Sequence, residues 1–309
     1  MVAHTPVLLD EVLAGLRIEP EGRYLDATFG RGGHTAAILG QLGPAGRVIA
    51  IDRDPDAVAA GRQRFTREPR LTLLRGSFAQ LATLLRAAGV QGGLQGVLLD
   101  LGVSSPQLDE ATRGFSFMQD GPLDMRMDYE SGSSAAQWLA RAGEREIGEV
   151  VSRLGEERFA KRIARAIIAA RRESPIVTTR QLADIVSAAV PTREPGKHPA
   201  TRTFQAIRMH VNRELEELEA ALPQAVDALA PGGRLCVISF HSLEDRLVKR
   251  YLRREMQGDP VYAGLPNVPA HARPRLKRIG GAVMPGDAEV ARNPRARSSV
   301  LRVAERLAA

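Results

Sequence analysis

The chain has 309 residues, 44% hydrophobic and 26% charged, which suits a globular protein with a sizeable core and two domains. No apolar stretch approaches the roughly 20 residues of a membrane span, and one cysteine, Cys236, excludes a disulfide framework or a thiolate metal cluster. The net charge of +7 is uneven: residues 246–309 hold 14 Lys/Arg against 5 Asp/Glu, and residues 1–245 hold 29 against 31.

The N-terminal stretch "MVAHTPVLLDEVLAGL" carries acids inside its apolar part and no basic lead, unlike a secretory signal, so a cytoplasmic protein is expected. Apolar runs bounded by Gly and Asp follow at "RYLDAT" (23–28), "RVIAID" (47–52), "LTLLRG" (71–76) and "GVLLDL" (96–101). Such runs suit strands of a parallel sheet covered on both faces. Between them lie "HTAAILGQLG", "DPDAVAAGRQRF" and "SFAQLATLLRAAG", each with helical spacing. Asp54-Pro55 supplies a helix cap followed by proline in the first turn. Strand–helix alternation at this rhythm predicts a doubly wound α/β sheet.

The rhythm breaks after Leu101, and 132 residues pass before the fifth strand pattern, "RLCVISF" (234–240). A crossover needs only about a dozen. Within this stretch "EERFAKRIARAIIAARRE" places Phe159, Ile163 and Ile167 on one helical face and Lys161, Arg162, Arg165 and Arg172 on another. "TTRQLADIVSAAV" repeats the pattern behind a threonine cap. The expectation is a mostly helical domain, 107–212, inserted into a core made of 1–106 and 213–309. Beyond the fifth strand, "HSLEDR" (241–246) spaces Ser242 and Asp245 as a helix cap, which is favoured over a metal site built on His241, Glu244 and Asp245. No structural metal is expected. The helix that follows sets Arg246, Lys249, Arg250 and Arg253 along one face, able to track an RNA backbone. A basic segment on a near-neutral body points to a polyanion, nucleic acid or an anionic membrane surface, ahead of a merely solvated face.

The stretch "FGRGGHT" (29–35) puts three glycines within four positions after the first strand. The dinucleotide fingerprint G-x-G-x-x-G fails at its third glycine, where Thr35 stands, and no G-x-x-x-x-G-K-[ST] phosphate loop occurs. What fits is an acid on the first strand (Asp26), a glycine turn, and an acid closing the second strand (Asp52) that can accept hydrogen bonds from ribose hydroxyls. S-adenosylmethionine, with a ribose, an adenine and an amino-acid tail but no pyrophosphate, satisfies this pattern. Asp100, closing the fourth strand, would meet its adenine side or its tail.

The sequence resembles the bacterial 16S ribosomal RNA cytosine-N4-methyltransferases of the MraW/RsmH type. The motifs that carry the resemblance run almost end to end: "HTPVLLDE" (4–11), "DATFGRGGHT" (26–35), "AIDRDPDA" (50–57), "LLDLGVSSPQLD" (98–109), "RGFSF" (113–117), "GPLDMRMD" (121–128), "GEERFAKRIARAI" (155–167), "KHPATRTFQAIRMHVN" (197–212), "ISFHSLEDR" (238–246) and "NPRARSSVLRVAER" (293–306). The resemblance implies a class I methyltransferase core with an inserted helical substrate domain. It also implies S-adenosylmethionine contacts at Gly32, Gly33, His34, Asp52, Phe78, Asp100 and Gln107. His34 opens the first helix of the sheet, where backbone N–H groups favour the cofactor carboxylate. Phe78 offers an aromatic face to adenine, and Gln107 can donate and accept near the tail.

Many amino-methyltransferases accept a hydrogen bond from the reacting amine with an Asp/Asn/Ser-Pro-Pro-aromatic loop after the fourth strand. Ser105 and Pro106 match its first half, and Gln107 and Leu108 replace the rest. Stacking on the base would then fall to the insert, with Phe115 and Trp138 as the leading candidates. The expected partner is 16S ribosomal RNA in an assembled small subunit; no membrane partner is expected, and a homodimer is left open. Two other classes compete. A nicotinamide oxidoreductase needs the glycine that Thr35 replaces, and a non-catalytic RNA-binding factor needs no intact cofactor loop.

Overall fold

A computed structural model describes residues 6–192, 196, 198–262, 267, 269 and 272–308; His4, Thr5 and Lys197 of the motifs quoted above lie outside them. The chain divides into two compact units, Met1–Gly102 with Leu215–Ala309, and Val103–Glu214. The second unit starts earlier and ends later than the 107–212 read from the sequence.

The first unit is built on one seven-stranded sheet. Its strands are β1 (Arg23–Asp26), β2 (Arg47–Asp52), β3 (Leu71–Arg75), β4 (Leu94–Asp100), β5 (Leu229–Ser239), β6 (Leu276–Val283) and β7 (Val300–Arg306), in the order β3-β2-β1-β4-β5-β7-β6. β1 to β5 run parallel. β7 enters antiparallel to β5, and β6 pairs antiparallel with β7. This is the doubly wound α/β, class I arrangement that the first four strand–helix repeats predict. β6 and β7 are additions that the apolar pattern did not reveal. β6 is an edge strand exposed along most of its length, so its sequence "LKRIGGAV" carries no buried face to read.

Burial follows the period of two that a covered sheet requires. Leu25, Ile49, Val97, Leu99, Leu235 and Val237 enter one core, beside α4 (Leu81–Ala87), α11 (Glu214–Ala228) and α12 (Ser242–Gln257). Their neighbours Tyr24, Val48, Leu98, Cys236 and Ile238 enter the opposite core, against α1 (Leu9–Leu16) and α2 (Gly33–Gln41). Among the described residues, the remaining α-helices of this unit are α3 (Pro55–Arg64) and α13 (Asp287–Arg292). α3 begins as its sequence predicts: the Asp54 carboxylate accepts the Asp56 N–H at 3.0 Å, and Pro55 occupies the first turn.

The second unit is helical: α5 (Ser105–Asp109), α6 (Ala135–Arg141), α7 (Glu144–Gly155), α8 (Ala160–Glu173), α9 (Thr179–Ala189) and α10 (Thr201–Asn212). Its own core gathers Ile147, Val151, Ile163, Ile167, Leu182, Val186, Phe204 and Ile207. α9 carries a full capping box between Thr178 and Gln181.

Leu99 lies in the central strand β4, 0% exposed, between β1 and β5. Leu99→Ala leaves a cavity that parallel strands on both sides keep from collapsing, so it should destabilise the first unit by about 2–5 kcal/mol. Urea unfolding should show a lower midpoint at constant slope. A loss under about 1 kcal/mol would mean that the packing around β4 relaxes.

Candidate active site

In an open parallel sheet, ligands bind outside the carboxyl ends of the strands where the strand order reverses. Here β1 is the reversal point, flanked by β2 on one side and β4 on the other. All three strands end on an aspartate: Asp26, Asp52 and Asp100.

Asp52 is held by backbone. Gly30 N–H donates to its Oδ2 at 2.7 Å, and Asp54 N–H donates to its Oδ1 at 2.9 Å. Burial pushes the carboxyl up to about 6, with these two hydrogen bonds opposing the rise. Each carboxylate oxygen keeps a further lone pair, so the group can still take two hydroxyl donors. Asp26 is only 1% exposed, and burial raises its pKa as well. It accepts from Thr35 Oγ1 at 2.7 Å and from Thr28 N–H at 3.2 Å. Thr35, the residue that breaks the dinucleotide fingerprint, is therefore the hydroxyl that satisfies Asp26.

Asp100 is the least satisfied of the three. Its backbone N–H donates to Thr28 Oγ1 at 2.7 Å, and its Oδ2 lies 3.5 Å from His34 Nδ1. Its Oδ1 is enclosed and has no hydrogen-bond partner among the described residues. Burial pushes the carboxyl up to about 6; His34 opposes the rise, and Asp26 and Glu244 add to it. His34 is oriented from its other side, where Nε2 meets the Val7 carbonyl at 3.1 Å. A carbonyl only accepts, so Nε2 carries a hydrogen and Nδ1 is left to face Asp100.

The glycines are fixed by crowding and by backbone shape. Gly32 caps α2 at φ +68°, and a Cβ there would lie 2.6 Å from the Phe29 ring. At Gly33 a Cβ would lie 2.5 Å from Pro6 Cγ. The chain thus presents the first turn of α2, with its outward N–H groups, at the same edge as the aspartates. His34 is the second residue of this helix. Phe78 opens the 3-10 turn after β3, half-buried against the core. Beside it, Glu217 Oε2 on α11 accepts from Ser77 Oγ at 2.8 Å and lies 3.0 Å from the Arg53 guanidinium. Glu217, Thr28 and Ser239 escaped the sequence reading. Ser239, at the end of β5, is buried with an Oγ that has no partner among the described residues.

The sheet edge thus collects Gly32, Gly33, His34, Asp52, Phe78 and Asp100. The expected residues Ser105, Pro106, Gln107, Phe115 and Trp138 belong to the second unit. Ser105 and Pro106 form the first turn of α5, behind a Ser104 cap. Gln107 is 5% exposed, and its Oε1 accepts the Ser104 N–H at 2.9 Å in a capping box. Phe115 is 5% exposed, with the Arg113 guanidinium 5.9 Å from its ring centroid. Trp138 is half-buried; its indole N–H donates to Glu146 Oε1 at 2.8 Å, and its ring lies 4.5 Å from that of His210.

α12 corrects one detail. Its cap is His241, not Ser242: the backbone at His241 is extended, and its Nδ1 accepts the Glu244 N–H at 3.4 Å. Glu244 reaches back past the cap to accept the Phe240 N–H at 2.9 Å, so a histidine takes the capping place that a serine was expected to hold. Arg246, Lys249, Arg250 and Arg253 are exposed on α12, with Arg250 3.5 Å from Glu219. Cys236 is buried in β5, where burial pushes its thiol up to about 12.

The family model described as the MraW methylase family matches residues 1–307. A curated relative, ribosomal RNA small subunit methyltransferase H of Thiobacillus denitrificans (strain ATCC 25259 / T1), is 60% identical over 307 residues, 99% of this chain and 98% of the relative. Among solved structures, an rRNA methylase from Streptococcus thermophilus aligns at TM-score 0.45 and 12% identity over 100% of both chains. TrmN from Thermus thermophilus aligns at TM-score 0.44 and 13% identity, over 97% of this chain and 48% of that one. With residues 1–307 matched by one family model and a relative 60% identical across the same span, the chain belongs to the MraW methylase family.

Proposed function

We propose that this methylase transfers a methyl group from S-adenosylmethionine to the N4 amine of a cytosine in 16S ribosomal RNA. The observation that carries the reading is the set of three aspartates at the reversal point of the sheet, Asp26 buried and Asp52 and Asp100 half-buried, the latter two pushed up to about 6. The 60% identical relative is named for the small-subunit ribosomal RNA, and the cytosine N4 target comes from the motif resemblance. The residues present fit the cofactor. Asp52 keeps two acceptor positions for ribose hydroxyls, the enclosed Asp100 Oδ1 has no partner among the described residues, and the glycine turn leaves no room for a Cβ.

In this reading S-adenosylmethionine supplies a methyl already activated on a sulfonium, so the chain needs no nucleophile of its own. Asp52 holds the ribose. Gly32, Gly33 and His34, at the start of α2, hold the carboxylate end of the tail. Asp100 meets the adenine side or the tail, Phe78 packs on adenine, and Gln107 contributes from α5. Cytosine's amine is a poor nucleophile because its lone pair is delocalised into the ring. The Ser105–Pro106 turn accepts a hydrogen bond from that amine as its nitrogen becomes tetrahedral. Trp138 is better exposed than Phe115 for stacking on the base. Arg246, Lys249, Arg250 and Arg253 follow the phosphate backbone. The second unit recognises substrate, and the acceptor is an assembled small subunit in the cytoplasm.

Asp52→Asn leaves one acceptor oxygen and adds a donor where ribose hydroxyls need acceptors. S-adenosylmethionine affinity by calorimetry should fall by on the order of 1.5–3 kcal/mol, roughly ten- to a hundredfold, with little change in thermal unfolding of the unliganded protein. Unaltered affinity would remove Asp52 from the site. Digestion of the methylated RNA to nucleosides should give a methylcytidine that co-elutes with an N4 standard. Label on ring carbon five would sink the mechanism, since that chemistry calls for a cysteine nucleophile and Cys236 is buried with its thiol at about 12.

A further inference from the structure

The helical unit carries a groove of about 1560 Å³ along α7 and the start of α8, lined by six cationic side chains: Arg145, Arg153, Arg158, Lys161, Arg162 and Arg165. We infer that this groove binds the sugar–phosphate backbone of the substrate RNA, as a surface separate from the α12 stripe. The inference rests on the reading of the chain as an RNA methylase.

The fold of the unit dictates where these charges stand. Ile163, Ala164 and Ile167 are buried in the unit's core, which turns Lys161, Arg162 and Arg165 of the same helix outward. Four carboxylates, Glu144, Glu146, Glu149 and Glu157, line the groove too, so cations outnumber anions by six to four. Glu149 pairs with Arg145 at 2.7 Å, Glu146 accepts the Trp138 indole N–H at 2.8 Å, and Glu157 accepts the Phe159 N–H at 2.9 Å. Arg153, Lys161 and Arg162 make no ion pair among the described residues, and Arg165 reaches only the Lys161 carbonyl at 3.4 Å. The Arg158 guanidinium stands 4.6 Å from the centroid of the Phe159 ring.

Exposed cations crowded on two helices repel one another, and a polyanion relieves that repulsion. At about 1560 Å³ the groove is far larger than one phosphate requires, and its cations come from both α7 and α8. Arginine and lysine reading a backbone in this way fix register and orientation but carry no base information. The surface would therefore hold the substrate by its shape, whatever its sequence.

The test uses the full-length protein with Arg153→Gln, Lys161→Gln, Arg162→Gln and Arg165→Gln combined, all four being exposed. The probes are a naked 16S ribosomal RNA transcript and assembled small subunits, with binding followed across a range of salt. The variant should bind the transcript at least tenfold more weakly, and its log–log salt slope should be shallower by about 0.7–0.9 for each phosphate that is no longer neutralised. S-adenosylmethionine affinity and thermal unfolding should match the parent. A charge-keeping control, R153K/K161R/R162K/R165K, should retain the parental slope. An unchanged slope and affinity, in a protein whose parent methylates the RNA, would overturn the groove and leave the methylase reading standing. Loss of affinity for assembled subunits alone would assign the groove to a ribosomal protein and overturn the RNA assignment. A parent that transfers no methyl to either probe would overturn the methylase reading and the groove with it.

Discussion

Three aspartates stand at the end of a parallel sheet, Asp26 buried and Asp52 and Asp100 half-buried, and the rest of the structure is organised around keeping them there. The strand order forces the arrangement, because β1 pairs with both β2 and β4 and all three strands end on an acid. Removing carboxylates from water is costly unless they are hydrogen-bonded, and like charges in one place add to the cost. The chain answers with donors, two backbone N–H groups to Asp52 and Thr35 and the Thr28 N–H to Asp26, and it sets the His34 ring beside Asp100. These donors do not finish the task, since Asp100 Oδ1 stays without a partner among the described residues and burial holds two of the carboxyls at about 6. A ligand that brings ribose hydroxyls and positive charge completes what the protein leaves undone. That is a description of S-adenosylmethionine.

The glycine turn and the first helix serve the same end. Gly30 places its N–H on Asp52, and Gly32 and Gly33 let the chain pass Phe29 and Pro6 at distances no side chain would allow. The turn delivers Thr35 to Asp26 and His34 to Asp100 within one helical turn. Thr35 in place of a third glycine is thus a different solution for a different ligand. A pyrophosphate needs close backbone approach, whereas an aspartate in that position needs a hydroxyl.

Much of this was legible in the sequence because it rests on local chemistry and on strong periodicity. The strands that carry Asp26, Asp52 and Asp100 are continuous apolar runs, Asp54-Pro55 announces α3, and the period of α8 separates Ile163 and Ile167 from Lys161, Arg162 and Arg165. What stayed hidden depends on partners far along the chain. β6 is legible only through its pairing with β7, since most of its residues face solvent. Glu217 joins Ser77 across 140 residues of sequence and Arg53 across more, and no spacing rule connects them. His241 takes the cap of α12 because β5 ends at Ser239 and leaves it in extended backbone, while a reading from preferences alone selects the serine beside it. Gln107, read as a cofactor contact, also serves as a capping residue for α5, a role that its three-residue spacing from Ser104 does encode.

With two carboxyls held at about 6 by burial, this edge should hold protons more tightly before the cofactor binds than after. Calorimetry of S-adenosylmethionine binding in buffers of different ionisation enthalpy counts the protons exchanged. A carboxyl at about 6 is half-protonated at pH 6, so ionising Asp52 and Asp100 on binding should release about one proton per site there. At pH 8 both are already ionised, and release should fall to near zero. The same linkage has a sign for the unliganded protein: burial makes the folded state hold these protons longer, so these two groups lower stability as pH rises from about 4 to about 6 and change it no further above that. Release of about one proton at pH 6 that vanishes by pH 8 is the expected result. No release at pH 6, with binding intact, would show that the cofactor is not what these aspartates answer to.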